Sequence, residues 1–288
     1  MARTVATIVI LYVMGLTLIL SGQTQIAAVP VDIGILREDR ILVPIGRFDG
    51  NEWSGGPNSR ELQDWELLTD ATTRKSIKVS GTTEFENHCQ PFIGGLVTNY
   101  QTTVKVEPHS YPLPYAGIAA TRPGMLEPIF PITNTRERRP FARLLPRMFA
   151  QIERDVWRDT EDKPRLDGPL RTPRLDYAYW GPLPDGRELV LVEASRQLEG
   201  SRFDTVTRVI AWTARTSAGL RVLQVIGSKT DSDWKGGDPL LQPRAALTVG
   251  DRTFWIGNAT GYESESYFVL EVTGGIPKLR LNDGAGAC

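Results

Sequence analysis

Apolar and polar residues alternate in short stretches along most of the chain, and the period of two outnumbers the helical period. Ile33 to Arg37 and Ile41 to Phe48 are apolar-rich runs separated by Glu38, Asp39 and Arg40, and the second ends at Asp49-Gly50. That pattern predicts a β-hairpin followed by a second tight turn. Pro44 lies inside the second run, where its missing N–H predicts an edge or bulged strand. Weaker runs follow at Trp65 to Leu68, Ser76 to Val79 and Gly95 to Tyr100.

The second half carries the clearer β pattern. Tyr177 to Trp180 and Arg187 to Ala194 flank Pro184-Asp185-Gly186, and Thr205 to Thr216 and Leu220 to Ile226 flank Ser217-Ala218-Gly219. Each pair predicts a hairpin. Arg252 to Gly257, Ser266 to Val272 and Lys278 to Leu281 then predict a three-strand meander, with Phe268, Leu270 and Val272 on one face and Tyr267, Val269 and Glu271 on the other. Many short strands at close spacing indicate a mainly β fold of antiparallel hairpins and meanders, built as a propeller-like ring, a sandwich or barrel, or two packed β domains. No repeat of fixed period is visible.

Two stretches depart from this pattern. From Val106 to Pro140, prolines at 108, 112, 114, 123, 128, 131 and 140 predict an extended connector joining two halves. After it, Phe141, Leu144, Leu145, Met148, Phe149, Ile152, Val156 and Trp157 fall at spacings of three and four, predicting one amphipathic helix over 140–158. Pro146 places its well-formed part from that residue on, and Glu153, Arg154 and Asp155 read as its solvated face.

The N-terminus changes the picture by assigning a compartment. A basic start at Arg3 runs into an apolar stretch from Val5 to Leu20, followed by small and polar residues from Ser21 to Ala28. This order predicts a signal peptide over 1–28, cut after Gly22 or Ala28, and a secreted or periplasmic body over 29–288. The run of about sixteen residues is short for a bilayer span. Lys plus Arg (33) nearly balances Asp plus Glu (34), so there is no net field to recruit nucleic acid or an anionic membrane. The hydrophobic share of 41% argues against wholesale disorder.

Export also bears on the two cysteines, Cys89 and Cys288, which form an expected disulfide. Such a bridge closes a loop of about 200 residues and is worth roughly 4–5 kcal/mol in the chain-entropy model. It leaves Cys89 unsuited to act as a nucleophile with His109. No Gly-x-Ser-x-Gly elbow, His-Glu-x-x-His helix or phosphate loop occurs.

Three sets of residues remain as candidate chemistry. Asp231, Asp233 and Asp238 lie in an Asp- and Gly-rich loop that offers hard oxygens to calcium, although Lys235 stands where a further donor belongs. Glu193 and Glu263, with Glu265 and Glu271, are strand-borne carboxylates that could hydrolyse glycosides if two of them flank a cleft. Trp53 and Trp234 neighbour Gly-rich loops and are the expected exposed aromatics, suited to stacking on a sugar or anchoring a partner. Asn258-Ala259-Thr260 is a glycosylation sequon in a eukaryotic context. The sequence thus predicts an exported β-rich protein that binds a small ligand, a glycan or a protein, with no cofactor other than calcium. An extracellular hydrolase acting on carbohydrate through Glu193 or Glu263 is the alternative.

Overall fold

The structure, a computed structural model, describes residues 30–55, 64–69, 73–87, 90–101, 115–156, 172–183, 185–198, 205–230, 240–261, 264–274 and 276–287. The predicted signal peptide, Cys89 and Cys288, both histidines and residues 231–238 lie outside the described residues.

The first sheet comprises β1 (Val31–Arg37), β2 (Ile41–Phe48), β3 (Trp53–Gly55), β4 (Asp64–Leu68), β5 (Arg74–Asn87), β6 (Gln90–Thr98) and β7 (Tyr115–Ala120). Its order is β1-β7-β4-β5-β6-β2-β3, and β1 also pairs with β2, so six strands close into a barrel and β3 hangs from β2. Leu36, Leu42, Trp65, Leu67, Ile77, Val79, Leu96 and Ala119 cluster from all six barrel strands, which identifies them as the filling of its lumen. The predicted hairpin is β1–β2, turned at Glu38-Asp39-Arg40 with Arg40 at φ 72°. The register shifts opposite Pro44, and β6 pairs only with Ile41 and Leu42, so no ladder bond is asked of the proline nitrogen.

The second sheet has the order β17-β16-β15-β14-β8, from β8 (Leu126–Pro128), β14 (Leu241–Val249), β15 (Arg252–Gly261), β16 (Ser264–Glu271) and β17 (Lys278–Ala287). The third has the order β13-β12-β11-β10-β9, from β9 (Phe130–Pro131), β10 (Arg174–Pro182), β11 (Glu188–Leu198), β12 (Thr205–Thr216) and β13 (Gly219–Thr230). The predicted hairpins and the C-terminal meander are all present.

Strand alternation stacks these parts in layers. One face of the second sheet, with Leu247, Phe254, Ile256 and Val269, packs on the outer wall of the barrel at Val31, Ile33, Ile35 and Ile45. Its other face brings Ala246 and Trp255 against Leu189, Leu191 and Trp212 of the third sheet, with the Trp212 and Trp255 rings edge-to-face at 5.3 Å. The far face of the third sheet, with Val190, Val192, Val209 and Ala211, is covered by the helix α1 (Thr135–Val156). Of the architectures left open by the sequence, barrel and packed sheets are what form. A propeller ring does not, because the first sheet closes on itself through β1 and β2.

Three sequence expectations are corrected here. The helix starts at Thr135, before the predicted boundary, and contains both Pro140 and Pro146. Each proline costs about 3 kcal/mol inside a helix, but Phe141, Leu145, Met148 and Phe149 are fully covered by the sheet at about 1.5–3 kcal/mol apiece. The Asn134 side chain caps the start by accepting the Arg136 N–H at 2.8 Å. Glu153 is not on a solvated face: it is 3% exposed and paired with Arg196, whose Nε donates to Oε1 at 2.8 Å. The sequence misled because a carboxylate inside an apolar stripe reads as surface until its partner on another strand is known.

The proline-rich 106–140 segment is also more than a connector. Its described part supplies β7 to the barrel, β8 to the second sheet and β9 to the third, with Ile129 alone between β8 and β9. Pro128 and Pro131 sit on edge strands, where a missing N–H costs no ladder bond.

Candidate functional site

A cleft of about 300 Å³ lies where the outer wall of the barrel, the β8–β9 segment, β10 and β14 meet. Ile35, Leu68, Ile118, Ile129 and Phe130 give it apolar walls, and Thr69, Tyr115, Tyr179 and Arg244 supply polar groups. Among the described residues the lining contains no carboxylate, imidazole or thiol.

Local sequence explains how each wall is placed. A Cβ on Gly117 would stand 2.2 Å from the Leu68 carbonyl oxygen, so only glycine lets β7 approach the end of β4 closely enough to form the barrel side. In β14 the register against β15 slips between Pro243 and Ala245, which makes Arg244 the extra residue of a β-bulge. The bulge turns its guanidinium out of the ladder and toward the cleft. There Nε donates to Asn258 Oδ1 at 3.1 Å, Nη2 donates to Gln242 Oε1 at 2.5 Å, and the group lies 5.3 Å from the centre of the Tyr115 ring. Gly257, opposite Pro243, has no room for a Cβ, which would sit 2.1 Å from the Gln242 carbonyl oxygen.

The electrostatics of the cleft are those of a cation without a counter-charge. Among the described residues no carboxylate pairs with Arg244. Arg244 is exposed at the cleft; the protein packed around its stem lowers its pKa, an effect that Tyr179 opposes. Burial pushes the Tyr179 hydroxyl well above the usual phenol range, with Glu193 adding to the shift, so the group stays a neutral donor.

Glu193 stands beside the cleft and outside its lining. It is 4% exposed, and its Oε2 and Oε1 accept the N–H groups of Leu240 and Leu241 at 2.8 and 2.6 Å. It therefore fastens the start of β14, three residues ahead of Arg244, to the face of the third sheet. Desolvation raises its pKa from 4.5 to about 7, while the two N–H bonds and the nearby Arg208 pull it down and Asp176 adds to the rise.

The other sequence-derived candidates are not brought to this place. Glu271 is held by Arg252 Nε at 3.0 Å and by Arg280 Nε at 2.6 Å, and those contacts depress its pKa. Trp53 is half-buried, with its ring 5.3 Å from those of Phe48 and Phe254, so it closes the barrel edge and does not form an exposed platform. Asn258 is fully buried as the acceptor for Arg244, so the folded chain does not present that sequon to a glycosylating enzyme. Glu263, Trp234, Asp231, Asp233 and Asp238 fall outside the described residues, as does the side chain of Glu265.

Arg244, Tyr179 and Tyr115 were not singled out from the sequence. A usable sign was present in Pro243, which interrupts an otherwise alternating run from Leu241 to Val249 and so marks a bulge beside an arginine. No helix among the described residues is long and apolar enough to cross a membrane, and no three metal-ligating side chains cluster among them. No protein family, no curated protein and no solved structure matches this chain.

Proposed function

We propose that this is an exported binding protein whose cleft takes a small molecule without transforming it. One observation carries the reading: a cleft of about 300 Å³ with apolar walls and a fixed arginine, which among the described residues is lined by no carboxylate, imidazole or thiol. Such a mixture of apolar surface with a few convergent polar groups is the usual make-up of a ligand site. The alternative, an extracellular carbohydrate hydrolase, would have to rest on Glu193, whose raised pKa resembles that of a catalytic acid. Against it, both Glu193 oxygens are engaged by backbone N–H groups, and the cleft lining offers no second carboxylate.

Export, and with it a Cys89 to Cys288 bridge, belongs to the same proposal and rests on the order of residues in the leader. N-terminal sequencing of the secreted product should find Met1 removed, and unfolded, unreduced protein should show no reactive thiol.

The binding reading is tested by thermal unfolding against a panel of small organic acids, amides, alcohols and sugars. A ligand present at about 100 times its Kd stabilises by about 2.7 kcal/mol, which for a chain of this size raises the melting temperature by about 5–10 °C. Thr69→Trp, which puts a large side chain into the cleft lining, should abolish the rise. The reading is rejected if no compound raises the melting temperature, or if Thr69→Trp responds as the wild type does.

A further inference from the structure

We infer that the ligand of this cleft is a small aromatic carboxylate, a monoanion whose charge is met by Arg244 and whose ring lies between Phe130, Tyr115 and Tyr179; this rests on the reading of the cleft as a binding site. Three features of the site point to it.

The first is charge. Arg244 is locked by two hydrogen bonds and by its seat over the Tyr115 ring, yet Nη1 has no acceptor among the described residues. Arg244 is itself exposed at the cleft, so an incoming carboxylate can reach it, and because the guanidinium is already fixed in place little of the gain is lost to ordering the side chain. One cation matches one negative charge.

The second is a neutral donor beside the cation. Among the described residues the Tyr179 hydroxyl has no hydrogen-bond partner, and its raised pKa keeps the proton on it at every ordinary pH. A carboxylate has two oxygens, and an arginine with a tyrosine O–H offers one donor type to each. The third is size and shape. A cavity of about 150 Å³ takes up benzene, so about 300 Å³ accommodates a body of about twelve heavy atoms, two fused rings in extent. Three aromatic rings, Phe130, Tyr115 and Tyr179, stand among the aliphatic walls, and with Pro128, Pro131 and Pro243 in the lining they favour a flat body over a flexible chain, which would lose more rotational freedom on binding.

The test uses the full mature protein with 2-naphthoate, its neutral counterpart 2-naphthamide, and decanoate as a flexible acid. Trp180 stacks on Phe130 with centroids 4.7 Å apart, so tryptophan fluorescence reports occupancy of the cleft, and calorimetry gives the affinities. Naphthoate should bind at least about tenfold more tightly than either naphthamide or decanoate, a factor that corresponds to about 1.4 kcal/mol. Arg244→Gln should erase the difference between naphthoate and naphthamide, and Arg244→Lys should restore it in part. Equal binding of naphthoate and naphthamide to the wild type overturns the charge assignment while leaving a ligand-binding cleft. Tighter binding of decanoate overturns the aromatic body. Absence of binding by all three overturns the ligand class, and only silence across the wider panel overturns the binding function itself. The wild-type comparison stands whether or not the Arg244 variants fold.

Discussion

Replacing Glu193 by glutamine should flatten the pH dependence of stability between pH 5 and 7.5. In the wild type the folded-state pKa of this carboxyl is about 7, against 4.5 for an ordinary glutamate, because its burial opposes ionisation more than its two N–H bonds support it. A raised pKa in the folded state means that the stabilisation is fully present below pH 4.5 and is lost as the pH rises through about 7. At 1.36 kcal/mol per pH unit, the span from 4.5 to about 7 corresponds to a loss of about 3 kcal/mol. For a chain of this length that is a fall of about 6–12 °C in melting temperature. The glutamine oxygen can accept one of the Leu240 and Leu241 N–H groups, but its amide turns a donor toward the other. The variant should therefore lie about 1–3 kcal/mol below the wild type at pH 5, with the gap closing by pH 8. Urea unfolding at four pH values across this window measures both curves. The carboxyls with lowered pKa values, Glu271, Asp49 and Asp185, act in the opposite sense and at lower pH. Parallel wild-type and Glu193→Gln curves would show that Glu193 is ionised at low cost and would refute the reasoning.

Further substitutions probe other joints of the fold. Glu153→Ala should destabilise by about 3–5 kcal/mol because it leaves the Arg196 guanidinium buried and unpaired, whereas the double replacement Glu153→Met with Arg196→Met should recover most of that loss in denaturant unfolding. Gly117→Ala places a methyl group 2.2 Å from the Leu68 oxygen, and a midpoint drop equivalent to about 2 kcal/mol or more is expected. Arg40→Gly relieves a positive φ in the first hairpin turn and should raise stability by up to about 1 kcal/mol, measured in the same way; a loss instead would mean that the turn tolerates arginine without strain.

The sequence was most legible where a single strand pairs with its neighbour in the chain. The β10–β11 and β12–β13 hairpins and the β15–β17 meander could be read off because turn residues and alternation agree locally, as at Asp185-Gly186, where Gly186 takes φ 77°. What failed depended on distant partners. Pro128 and Pro131 read as breakers because nothing nearby says that they sit on sheet edges, and their partners in β14 and β10 lie far along the chain. Glu153 read as surface because its partner, Arg196, is 43 residues away. Within the site, Glu193 was legible as a chemically odd residue on an apolar strand. Its role as a fastener for Leu240 and Leu241 was not, since a hydrogen bond to backbone leaves no trace in residue types. Arg244 needed recognition of the bulge that aims it.

The barrel draws all six of its strands from residues 31–120, whereas Phe254, Ile256 and Val269, which cover its outer wall, come more than 130 residues later. At a synthesis rate of roughly 5–20 residues per second, a nascent chain would carry a closed barrel with a bare greasy flank for roughly 7–27 s. Under the export proposed above, such a chain needs either a holding chaperone or a barrel that delays its own closure, and the second route would make the later-made strands the trigger for folding the first.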